Sequence, residues 1–155
     1  MKIAIASDHA GYTEKERLKP LLDELGVEYE DLGSVSEDSV DYPDYARVVG
    51  ERVAHGEVEQ GLLVCGSGIG MAIAANKVPG VRAALAWNEE TARLAREHND
   101  ANILALGART TPAEELPKIV RAWFAARFAG GKHQRRVEKI AEIERAEATF
   151  SAKEK

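Results

Sequence analysis

Short apolar runs alternate five times with longer segments of helical period along this chain, and that alternation restricts its fold more than any other feature. Apolar runs of about five residues bounded by turn residues read as buried strands, and apolar residues three and four apart read as helix faces. Strands are expected at 2–6, 27–32, 61–65, 81–87 and 101–107. The first helix carries Leu18, Leu21, Leu22 and Leu25 at helical spacing, with Gly26 as its stop and Pro20 as an expected kink. Thr13 and Glu16 have capping-box spacing. A second helix over 41–56 has Pro43 in its first turn and Gly56 past its end. The third spans 69–77, and the fourth, 89–99, is expected to be capped by Asn88, with Glu89 and Glu90 against the positive end of its dipole. Thr111, Pro112 and Glu114 signal the start of a fifth helix. A polar helix over about 132–150, with Val137, Ile140, Ile143 and Ala146 along one face expected to pack on a partner subunit, precedes a frayed tail at 151–155.

Five strands each followed by a helix predict an α/β fold, because parallel strands need crossovers and these are right-handed. The expected architecture is a doubly wound five-stranded parallel sheet with helices on both faces. The 155 residues form one domain, 1–155, with no repeat or low-complexity linker to divide it. Ligands gather at the carboxyl ends of strands in such sheets. That rule selects SDHAG (7–11), CGSGIG (65–70), WNEE (87–90) and GARTT (107–111), with EHND (97–100) entering the fifth strand and expected nearby.

A formal charge of −5 gives no general attraction to nucleic acid or anionic membrane, so an anion site must be local. No apolar run approaches the length of a membrane span. The first eleven residues enter a strand and meet acid and glycine too early for a signal peptide. A single cysteine without metal-ligand spacing points to a reducing, cytoplasmic setting.

Gly66, Gly68 and Gly70 permit a backbone that bares several N–H groups toward an anion or a developing oxyanion. No Gly-Lys-Ser/Thr follows, and the glycine intervals do not match a dinucleotide fingerprint. Cys65 ends the third strand, where a small apolar residue is common; it also lies beside a helix N-terminus that favours a thiolate able to act as base or nucleophile. Ser67 offers a hydroxyl to hold or move a proton. His9, Asp8 and His98 add acid–base groups to the edge expected to hold Cys65, and His55 reads as a surface cap. Arg109 and the cluster Lys132, His133, Arg136 form either a solvated helix face or a phosphate clamp.

SDHAG, DYPDYA, CGSGIGMAIAANK, EHNDANILALGAR and GGKHQRRV stand in the order and spacing of the ribose-5-phosphate isomerase B family, which includes the galactose-6-phosphate isomerase subunits. The chain resembles that family from residue 1 to about 145. The resemblance implies a Rossmann-like or flavodoxin-like sheet and a metal-independent, cofactor-free aldose–ketose isomerase of phosphorylated sugars. It also implies a homodimer or dimer of dimers with shared sites, without nucleic-acid or membrane partners. Ribose 5-phosphate and ribulose 5-phosphate, of the pentose phosphate pathway, are the expected pair. Members without the cysteine carry a glutamate base a few residues later; Met71 stands there, so this chain resembles the cysteine type. By that match Cys65 moves the proton between C1 and C2. The amides of Gly66, Ser67, Gly68, Ile69 and Gly70 hold the enediolate, and Ser67 helps proton movement between oxygens. His98 opens the ring, Asp8 orients sugar hydroxyls, Asn99 binds sugar or intermediate and Tyr42 walls the pocket. His9 and Arg109, with Lys132, His133 and Arg136 from a partner chain, surround the phosphate. Lys132 stands where the family often has arginine. The alternatives are an isomerase of galactose 6-phosphate or allose 6-phosphate, and a non-catalytic phosphate- or nucleotide-binding module.

Overall fold

A computed structural model describes all 155 residues. The strands are β1 (Lys2–Ser7), β2 (Glu28–Asp31), β3 (Gln60–Cys65), β4 (Ala83–Leu85) and β5 (Ile103–Gly107). The helices are α1 (Tyr12–Glu24), α2 (Tyr42–Ala54), α3 (Ile69–Ala75), α4 (Glu89–Asn99), α5 (Leu116–Ala125) and α6 (Lys132–Lys153). All strand pairs are parallel, in the order β2-β1-β3-β5-β4.

The strand residues alternate between two cores. Ile3, Ile5, Leu62, Val64, Leu104 and Leu106 face one side, where they pack with leucines of α1, alanines of α4 and Ile119, Val120 and Trp123 of α5. Ala4, Ala6, Leu63, Cys65, Ile103 and Ala105 face the other, against Ala46, Val49 and Val53 of α2 and Met71 and Ala75 of α3. The period of two in a pleated strand is what sends neighbours to opposite layers. Gln60 is buried at the start of β3, where its Oε1 accepts a 2.7 Å bond from the indole N–H of fully buried Trp123. Since β1 and β3 are neighbours and their following helices cover opposite faces, a crevice opens between the carboxyl ends of these two strands.

Several local expectations change. α1 begins one residue before Thr13, whose hydroxyl donates to Glu37 at 2.7 Å, so the Thr13–Glu16 box does not form. Glu16 instead bonds Lys19. Pro20 lies inside α1 without ending it. Asn88 does cap α4, accepting from the Thr91 amide at 2.7 Å in a reciprocal box. The Thr111 signal does not start α5: the amide of Thr111 is taken by the Gly107 carbonyl in a turn off β5, and the helix begins at Leu116. α5 ends at Ala125, well short of Gly131. α6 is continuous to Lys153, past the expected boundary at 150. Of its 22 residues only Val137 is buried, and Ile140, Ile143 and Phe150 are exposed.

Candidate active site

The crevice holds a cavity of about 350 Å³. Asp8 and His9 enter it from the end of β1, Cys65, Gly66, Ser67 and Gly70 from the β3–α3 loop, Tyr42 from the start of α2, and Arg109 from the turn after β5. Thr110 also lines it and was not singled out from the sequence.

Cys65 is the last residue of β3 and is 4% exposed. Its Sγ accepts a 3.1 Å hydrogen bond from the Gly68 amide. That bond requires the loop to turn back sharply, and Gly68 does so at φ 75°, a left-handed conformation that disfavours a side chain. A Cβ there would also lie 2.5 Å from Leu85 Cδ1 and 2.9 Å from the Leu106 carbonyl carbon. Ser67 Oγ accepts from the Ile69 amide at 3.2 Å. The expected cradle of five amides is therefore smaller. The Gly68 and Ile69 amides are committed to Sγ and Oγ, and Ile69 points its side chain to solvent. The amides of Gly66, Ser67 and Gly70 have no acceptor within the chain, and all three residues line the cavity.

The other groups are held as firmly. Asp8 is 6% exposed; its Oδ1 accepts from the Gly11 amide at 3.0 Å, which fixes the carboxylate at the cavity wall. His9 accepts at Nδ1 from the Val40 amide at 3.2 Å, so its Nε2 is left for a ligand. The Tyr42 ring lies against Gly70, where an added Cβ would be 2.7 Å from the ring. Arg109 is anchored by its amide, which donates to the Gly66 carbonyl at 2.8 Å. The β2–α2 loop that carries Val40 is pinned by the buried ammonium of Lys15, which donates to Asp31 at 2.8 Å and to the Ser34 carbonyl at 2.6 Å.

His98, Asn99, Lys132, His133 and Arg136 do not join this cavity. His98 and Asn99 end α4 and precede β5, so they lie at the amino edge of the sheet, whereas Cys65 leaves β3 at the carboxyl edge. A five-residue strand separates those edges by roughly 16 Å. The expectation that EHND lies near Cys65 fails for this reason: a residue that enters a parallel strand is at the wrong end of it. The ends of the two helices that carry them nevertheless meet. The Ala129 amide donates to the Glu97 carbonyl at 2.9 Å and brings the start of α6 to the end of α4. The rings of His98 and His133 stack there, with centroids 4.1 Å apart and planes 10° apart. Partial burial, with repulsion from the neighbouring His98, Lys132 and Arg136, pulls the His133 imidazole below its ordinary value.

A thiol, a fixed carboxylate, free amides and a guanidinium around one cavity suit proton transfer at carbon next to an anionic group. The model of the family described as Ribose/Galactose Isomerase matches residues 3–140. The chain belongs to that family. Members of the ribose/galactose isomerase family resemble it closely over nearly its full length. It is 50% identical over 145 residues to a putative sugar phosphate isomerase of Bacillus subtilis, covering 93% of this chain and 97% of the relative. It is 47% identical to ribose-5-phosphate isomerase B of Escherichia coli, covering 92% and 96% of the two chains. The solved structure of the Clostridium thermocellum ribose-5-phosphate isomerase B superposes with a TM-score of 0.92 at 50% identity, covering 94% of this chain and 99% of that one. That of the Mycoplasma genitalium enzyme with bound ribulose-5-phosphate superposes with a TM-score of 0.89 at 43% identity, covering 93% and 96%. The enzyme is thus an isomerase of this family's α/β fold.

Proposed function

We propose that the protein interconverts ribose 5-phosphate and ribulose 5-phosphate in the cytoplasm, with Cys65 as the base. The observation that carries this reading is the Cys65 sulfur at the cavity wall, oriented by the Gly68 amide at 3.1 Å. The relatives named above as ribose-5-phosphate isomerase B support the substrate. In the open-chain aldose, Cys65 takes the proton from C2. The electron pair moves into an enediolate whose oxygen faces the free amides of Gly66, Ser67 and Gly70. The same thiol then returns the proton to C1, and Ser67 passes the hydroxyl proton between the two oxygens. Asp8 orients sugar hydroxyls and Tyr42 closes the wall. Because the amides meet charge that develops only during the reaction, they lower the barrier more than they tighten binding.

Two groups of residues at opposite edges of one sheet call for a second copy of the chain. His98, for ring opening, and Asn99, for the sugar, act from one protomer on the cavity of the other. Lys132, His133 and Arg136 of that same protomer join His9 and Arg109 around the phosphate. The exposed apolar face of α6, with Ile140 and Ile143, becomes the contact between the copies.

The reaction is tested by deuterium incorporation at C2 of ribose 5-phosphate in D₂O with a chelator present, followed by NMR. Exchange accompanied by ribulose 5-phosphate, lost by orders of magnitude in a folded Cys65→Ala chain, is the expected result. Exchange only with galactose or allose 6-phosphate reassigns the sugar, and no exchange with tight phosphate binding supports the binding-module reading. Sharing is tested by mixing inactive Cys65→Ala and His98→Ala chains. Random re-pairing restores about a quarter of wild-type turnover, because half the dimers carry one intact site; no recovery refutes the shared arrangement.

A further inference from the structure

The turn that presents His98 and Asn99 is built unlike an ordinary helix end. α4 ends at Asp100 with φ 44°, a left-handed conformation that glycine usually supplies after a helix and that a side chain disfavours. Two arginines hold it there. Arg82, just before β4, donates from Nε to the carbonyls of Asn99 and Asp100 at 3.1 Å each, and from Nη2 to the Asp100 carbonyl at 2.8 Å. Arg96, one turn back on α4, donates from Nη1 to Asp100 Oδ1 at 3.2 Å and to the Ala101 carbonyl. The Arg96 guanidinium lies 5.6 Å from the Trp123 ring, which ties it to the core. The last carbonyls of a helix have no partner within it, and a guanidinium fork can serve two of them together. Neither arginine lines the cavity that holds Cys65.

We propose that Arg82 is a positioning residue for the isomerisation. By bonding the carbonyls of both Asn99 and Asp100, it fixes the last turn of α4, so that His98 and Asn99 enter the partner's cavity in one orientation. The inference rests on the shared-site reading above. A helix end without such bonds samples open states, and misplacement by about 1 Å can slow a reaction about 100-fold. Lys132, His133 and Arg136, the residues for phosphate, belong to α6, whose start is tied to α4 through the Glu97 carbonyl rather than through the Asn99 and Asp100 carbonyls that Arg82 holds.

The test uses Arg82→Met and Arg82→Lys in the full chain, each in the wild-type and His98→Ala backgrounds, with ribose 5-phosphate turnover and inhibition by inorganic phosphate as readouts. Arg82→Met is expected to lower kcat by about 10- to 100-fold with the phosphate inhibition constant unchanged within about twofold. Arg82→Lys restores part of kcat, since one ammonium can reach a carbonyl but lacks the fork. In the His98→Ala background the loss shrinks to the part that runs through Asn99, because Arg82 and His98 act through one turn. An unchanged kcat, a loss that multiplies in full on His98→Ala, or an equal loss of phosphate affinity overturns the proposal. If His98→Ala alone turns over normally, the shared-site reading fails and the positioning role falls with it. Should Arg82→Met not fold, Arg82→Lys carries the test alone: it keeps one donor for a carbonyl but loses the fork, so kcat falls while phosphate inhibition stays unchanged, and an unchanged kcat overturns the proposal.

Discussion

Replacing Gly68 by alanine tests the loop at its tightest point. The residue has φ 75°, and its new Cβ would lie 2.5 Å from Leu85 Cδ1, 2.9 Å from the Leu106 carbonyl carbon and 3.1 Å from the Gly107 nitrogen. A side chain in the left-handed region costs about 1–2 kcal/mol. Overpacking against β5 backbone, which cannot rotate away, adds about 1–3 kcal/mol. The sum is about 2–5 kcal/mol, or roughly 4–20 °C in Tm for a chain of this length. Gly26→Ala is the control: it has φ 67° and nothing within 4 Å of the added carbon, so it carries the backbone cost alone, about 1 kcal/mol net of the stiffer unfolded chain. Melting curves at one protein concentration, with turnover measured alongside, separate the two contributions. Gly68→Ala should also lose most turnover, because the shifted amide no longer meets the Cys65 sulfur. If the two variants melted within about 1 kcal/mol of each other, the contact with β5 inferred from the geometry would be wrong.

Gly70→Ala should behave differently from Gly68→Ala. Gly70 is helical, so alanine favours the helix by about 1 kcal/mol, but its Cβ would meet the Tyr42 ring at 2.7 Å and push that half-exposed side chain outward. The expected result is unchanged or higher Tm with a KM for ribose 5-phosphate raised several-fold; an unchanged KM would remove Tyr42 from the substrate wall. Asp31 supplies a pH test. Partial burial raises its carboxyl, but hydrogen bonds from Lys15, Lys19 and the Gly33 amide outweigh that and hold it below the ordinary carboxylate value. A lowered folded value means stability that is full above the unfolded value, about 4, and is lost as pH falls through the folded one. Asp31→Asn should therefore be less stable at pH 7 by about 1–3 kcal/mol, since Lys15 keeps the Ser34 carbonyl. Urea melts should show that gap narrowing below about pH 4; a gap constant from neutral to acid pH would sink the assignment.

Local chemistry made much of the candidate site legible in advance. The glycines of CGSGIG, the cysteine before them and SDHAG each follow an apolar run, and a parallel sheet delivers the carboxyl ends of adjacent strands to one crevice. Asn88 capped its helix because its partner, Thr91, is three residues away on the chain. Thr13 and Thr111 carried capping signals too. Their outcome was decided elsewhere: Glu37, far along the chain, takes the Thr13 hydroxyl, and the turn off β5 takes the Thr111 amide. Arg82 and Asp100 gave no signal, because their partnership joins residues 18 apart through a left-handed turn.

The alternation of strands and helices, the two covered faces of the sheet and the candidate reactive groups were legible in the sequence, since periodicity and turn chemistry act over a few residues. The tertiary structure decided which of these groups share a cavity within one chain. It placed Cys65 with Asp8, His9 and Arg109 at the carboxyl edge, and His98 with His133 at the amino edge. It also decided which loop amides remain free, because a hydrogen bond from Gly68 to Sγ depends on one left-handed residue fitting against β5. Which distant segments meet depends on the packing of the whole sheet and its helices, and a short sequence motif does not encode it.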